Sequence, residues 1–183
     1  HLIMPGFIDA HLHMPQTQVI ASYGAQLMDW LNTYTFVEEQ KLAQQGHAEK
    51  LALFLLDELL ANGTTTAVIY CSVHPQSAEA LFAESERRNT RMLAGKVMMD
   101  RNAPVALTDT AESSYADSKA LIARWHGKGR QLYVISPRFV VTSTPEQMAA
   151  AGRLAAEHPD CHVQTHINEN KAEIALANEL YPS

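Results

Sequence analysis

The feature that most restricts the fold is an alternation repeated along the chain: a short apolar, β-rich run, then a longer stretch with helical spacing. The first run is "IMPGFIDAHLH", residues 3–13. After it, a helix is predicted from about Gly46 to Ala61. There "AEKLALFLLDELLANG" repeats apolar residues every three or four positions, and Gly63 is the stop. The second run, "TTTAVIYCS" at 64–72, precedes a helix over "PQSAEALFAESERRN" with Ser77 as candidate N-cap. The third, "RMLAGKVMMD" at 91–100, precedes a helix over "DSKALIARWHG". The fourth, "QLYVISPRFVV" at 131–141, precedes "TSTPEQMAAAGRLAAEH". Ser143 or Thr144 caps that helix, Pro145 sits in its first turn, and Glu146 favours its positive end. The fifth, "CHVQTHI" at 161–167, precedes a helix over "NKAEIALANEL".

Strand–helix units in series predict an α/β fold with a parallel sheet and crossover helices. The choice lies between an open doubly wound sheet and a (β/α)8 barrel. No Gly-x-Gly-x-x-Gly follows any strand, which lowers the dinucleotide-binding reading. A complete barrel takes roughly 250 residues and seldom under about 200. Five units in 183 residues therefore predict an incomplete (β/α)8 TIM-type barrel, one domain over 1–183, as a piece of a longer protein. The net charge of −6 argues against nucleic acid as a partner, since phosphate binding needs a basic footprint. Apolar stretches are short and interrupted, so no membrane span is expected. Two distant cysteines, Cys71 and Cys161, make neither a disulfide framework nor a Cys-x-x-Cys site, and a reducing, cytoplasmic location is expected.

The chemistry concentrates where the runs end. On a strand, Phe7, Asp9, His11 and His13 share one face. Both faces of a parallel barrel strand are buried, so two idle imidazoles there would be costly, and a shared cation removes that cost. Asp9 either orients a ligand histidine or accepts a turn hydrogen bond. His166 ends the fifth run, where a third ligand could converge, and Glu169 follows three residues later as a candidate acid/base. Arg138 and Phe139 end the fourth run. A guanidinium can donate to a carbonyl or ring nitrogen, and a phenyl ring can cover a planar heterocycle. Gln16 could read a purine edge or cap a loop; Trp30 and Tyr34 could line a pocket or pack. His74 is expected on the surface, and His126 and His158 at helix ends.

"PGFIDAHLH" resembles the opening strand of the amidohydrolase superfamily, and "HINE" its later His-x-x-Glu. Within that superfamily the resemblance is to the guanine deaminases. It rests on "HLHMPQ", "DWLNTYTFVEE", "NGTTTA", "GKVMMD", "SPRF" and "QTHINEN", in order from residue 5 to 170. The resemblance implies hydrolysis of guanine to xanthine and ammonia on one Zn²⁺. His11, His13 and His166 would be metal ligands, and Glu169 would be the proton shuttle. Gln16, Arg138, Phe139 and Trp30 would contact the purine. It also implies a homodimer, and groups beyond this chain: the last barrel strands, a further His, a metal-binding Asp and a small β-sandwich. The chain alone is then expected not to turn over. Two other readings stay open, a sister amidohydrolase acting on another aminopurine, a pterin or a triazine, and a metal-free binding or scaffold fragment.

Overall fold

A computed structural model describes residues 2–24 and 26–182. Six parallel strands form the sheet: β1 (Phe7–His13), β2 (Thr64–Tyr70), β3 (Arg91–Gly95), β4 (Val97–Met98), β5 (Leu132–Pro137) and β6 (His162–Val163). β1 pairs with β2, β2 with β3, both β3 and β4 with β5, and β5 with β6, all parallel. The helices are α1 (Leu27–Trp30), α2 (Phe36–Glu39), α3 (Gln45–Ala61), α4 (Pro75–Arg88), α5 (Ala111–Trp125), α6 (Pro145–Glu157) and α7 (Lys171–Leu180). With β3 and β4 counted as one interrupted strand, neighbours in sequence are neighbours in the sheet, which is the five-unit part of a (β/α)8 barrel. No helix among the described residues is long and apolar enough to cross a membrane.

Side-chain alternation along the strands builds two layers. Ala67, Ile69, Met92, Ala94, Tyr133 and Ile135 face outward into the main core. There they meet Leu51 and Leu55 of α3, Leu81 and Phe82 of α4, Leu121 and Trp125 of α5, and Leu154 of α6. Tyr70 and Val97 face the other way, into a second cluster with Leu31, Phe36, Val73, Met99 and Leu107. The helix over Gly46–Ala61 stops as its sequence predicts, at Gly63, whose φ of +81° is open to glycine at little steric cost. Thr144 caps α6 by accepting from the Gln147 backbone N–H, and Asp100 holds Thr144 in turn.

Four expectations change. The third run is interrupted at Lys96, so β3 and β4 are separate. Gly95, just before the break, lies so close to β5 that an added Cβ would overlap the Val134 carbonyl oxygen. Ser77 does not cap α4. His74 occupies the N-cap, while Ser77 Oγ donates to the His74 carbonyl and accepts from Ser72 N–H. The helix expected from Asp117 begins at Ala111, because Thr110 and Ser113 form a capping box. Within this chain Phe7 is 57% and Ile8 72% exposed, so the expectation that β1 is buried on both faces, made for a closed barrel, is not met by these residues alone. β1 is an edge strand, paired on one side only among the described residues, and only Leu12 packs against the main core.

Candidate active site

The carboxyl ends of the strands open onto a cleft of about 570 Å³, a size suited to a small ligand. All eight candidate residues line it: His11, His13, Gln16, Trp30, Arg138, Phe139, His166 and Glu169. They come from three places. β1 delivers the two histidines, and residues 14–44 carry Gln16 and Trp30. The ends of β5 and β6 supply Arg138, Phe139, His166 and Glu169. Tyr34 does not line the cleft, and His74 is half-buried away from it rather than exposed. His126 and His158 follow the last residues of α5 and α6, as expected.

His11, His13 and His166 each offer a ligand atom, all within 4.8 Å of one another. The His13 and His166 Nε2 atoms are 2.9 Å apart. His166 Nδ1 lies 2.7 Å from the Arg138 carbonyl oxygen. A carbonyl only accepts, so Nδ1 carries the hydrogen and Nε2 presents its lone pair to the cluster. Burial disfavours the charged form of both rings. It holds the His13 imidazole well below the ordinary histidine range, helped by Arg138 and the neighbouring histidines, and it lowers His166. A histidine held as His166 is, with two more imidazole nitrogens beside its lone pair, is a donor set suited to a divalent transition metal. The Tyr70 ring packs against the cluster, stacked on His13 at 4.7 Å between centroids and tilted against His166 at 4.5 Å. The Asp9 carboxylate accepts from the His11 backbone N–H, the turn-acceptor arrangement.

Around this cluster the groups differ in freedom. Arg138 is 3% exposed, and its Nη1 donates to both carboxylate oxygens of the fully buried Glu39 at 3.0 and 3.3 Å. Burial raises the Glu39 carboxyl and the Arg138 charge opposes the rise. Phe139 is buried, its ring centroid 6.5 Å from that of His166. Glu169 is exposed, with a side chain that makes no hydrogen bond among the described residues. Its backbone is fixed, because Glu173 accepts from the N–H groups of Glu169 and Asn170 in the capping box that starts α7. Sequence reading did not single out Glu39, Tyr70 or Glu173. For Glu39 the structure supplies what the sequence does not: Leu31, Thr35, Phe36, Glu39 and Leu42 are all buried, so the carboxylate lies on the inward side of a stretch of short π, α and 3-10 segments.

A second group of possible ligands lies at the opposite, amino end of the strands: His126, Asp160 and Cys161, also within 4.8 Å of one another. Here the Tyr133 backbone N–H donates to His126 Nδ1 at 3.1 Å, and Cys161 Sγ lies 3.4 Å from the same nitrogen. His126 Nε2 faces Asp160 at 3.2 Å.

The chain is 55% identical to the guanine deaminase of Escherichia coli (strain K12) over 181 residues, which is 99% of this chain and 41% of that protein. Among solved structures, guanine deaminase from Bradyrhizobium japonicum superposes with a TM-score of 0.96 at 48% identity, over 98% of this chain and 39% of that one. Guanine deaminase from C. acetobutylicum, solved with guanine in its active site, gives 0.93 at 32% identity, over 97% and 42%. The chain thus spans about two fifths of the length of these relatives. The amidohydrolase family model matches residues 2–183, and the chain belongs to the amidohydrolase family.

Proposed function

We propose that the whole protein hydrolyses guanine to xanthine and ammonia, and that this chain supplies the larger share of the catalytic cleft. The observation that carries the reading is the convergence of three imidazoles, one free carboxylate and one buried guanidinium on a single cleft. The relatives reported above support it, one of them holding guanine.

In this reading His11, His13 and His166 hold one Zn²⁺. Such an ion lowers the pKa of water to about 7, so that hydroxide is available at neutral pH. Glu169 accepts a proton from the attacking water and returns it to the amino nitrogen, so that ammonia leaves as the C–N bond breaks and the ring keeps a carbonyl. The fixed backbone of Glu169 holds the carboxylate near the cleft while its unpaired oxygens stay free to exchange that proton. Arg138 donates to the purine carbonyl or a ring nitrogen, Gln16 pairs with another polar edge, and Phe139 and Trp30 cover the ring faces. The same reading places the protein in the cytoplasm as a homodimer.

The test is to incubate the full-length, metal-loaded protein with guanine and follow xanthine. Steady conversion is expected, and no conversion overturns the reading. Arg138→Ala separates guanine from other heterocycles. Its loss should cost guanine far more than an analogue without the matching acceptor, because the guanine acceptor would then be buried without a donor.

A further inference from the structure

Glu39 sits where a carboxylate is costly. It is fully buried on the apolar side of residues 31–42, between Phe36 and Leu42. Its partner, Arg138, is 99 residues away in sequence and reaches it from the end of β5. The pair is one-sided. Only Nη1 of the guanidinium bonds Glu39, and among the described residues Nε and Nη2 make no hydrogen bond while Arg138 lines the cleft. The Phe36 ring supports the guanidinium, with Arg138 Cζ 5.3 Å from its centroid. One side of the cation is therefore anchored in protein and the other is offered to the cleft.

We propose that Glu39 is a positioning residue for substrate: it holds the Arg138 guanidinium in the orientation that aims its remaining donors at the purine. The proposal rests on the reading that Arg138 binds that purine. Arginine has several rotatable bonds and strong hydration, so a guanidinium without its buried anion turns toward water, and the cleft is the open direction. Substrate then meets a mobile donor instead of a fixed one. Because Arg138 contacts bound substrate in ground state and transition state alike, the loss falls on KM rather than kcat.

The experiment compares four forms of the full-length enzyme: wild type, E39Q, R138A and E39Q/R138A. Glutamine keeps the shape and one acceptor but removes the charge. The expected result is a KM for guanine raised roughly tenfold to a hundredfold in E39Q, with kcat within about threefold. The double variant should have the same KM as R138A, because Glu39 acts only through Arg138. A merely structural Glu39 would lower thermal stability, leave KM unchanged, and add its effect to that of R138A. An unchanged KM in folded E39Q, or a double variant clearly worse than R138A, overturns the proposal. If E39Q does not fold, the double variant, which removes both buried charges, decides against R138A alone. A wild-type enzyme that does not deaminate guanine overturns the substrate reading itself, and this proposal with it.

Discussion

At the carboxyl ends of the strands, three histidines bring their ring nitrogens within 4.8 Å of one another; at the amino ends, a histidine, an aspartate and a cysteine do the same. Distance does not separate the two groups, but the bond on the far side of each ring does. His166 donates through Nδ1 to the Arg138 carbonyl, so its Nε2 lone pair points at His13. His126 accepts through Nδ1 from the Tyr133 N–H, so in the neutral ring Nε2 carries the hydrogen and points at Asp160. To bind an ion through Nε2, His126 would have to abandon the Tyr133 N–H, leaving a donor without a partner next to the core. The first group is prepared for a cation, while the second is complete without one.

The sharpest way to break this contrast is to remove a ring from each group in the full-length protein. His166→Ala should abolish stoichiometric metal retention and lower turnover by at least about a hundredfold, since even the partners of metal ligands cost that much. Elemental analysis and xanthine formation read both. His126→Ala should leave metal content and turnover unchanged but cost about 1–3 kcal/mol in urea unfolding, the price of a stranded Tyr133 N–H. If instead His126→Ala lowers the ion count per chain, the contrast fails. Cys161→Ser should cost less, at most about 1 kcal/mol, with no change in metal. Smallest of all, Asp160→Asn should stay within about 0.5 kcal/mol, because that side chain is 72% exposed. A metal-dependent stabilisation lost in either of the last two variants would give the amino-end group a ligand role.

How far the sequence reveals each group follows from the same physics. His11 and His13 are visible because two-residue spacing puts both on one side of a strand. His166 and Glu169 are visible because one ends the last β-rich run and the other follows it. The helices α3 and α6 are visible because apolar spacing and end signals agree over long windows, while for α4 the spacing is visible and the cap is not. Residues 14–44 are not. They pass through short 3-10, α and π turns, with Leu31–Thr35 in the π form, so no single period runs through them. Glu39 lies in that stretch, and its partner is on another element. The tautomer of His126 is equally hidden, because it is set by a backbone N–H in β5. Strand length is hidden too: β6 has two paired residues where seven look β-rich, since pairing depends on the neighbour.

Arg138 joins two tasks in one residue. Its carbonyl oxygen accepts from both the ring and the backbone of His166, while its side chain spans the gap between Glu39 and the cleft. In the proposed reading, metal and purine placement are both geared to Arg138 at the exit of β5. Retuning such an enzyme for a new heterocycle by rebuilding that exit would drag the ion along with the substrate. Changes within residues 14–44 would reshape the purine side and leave the His166 bearing untouched.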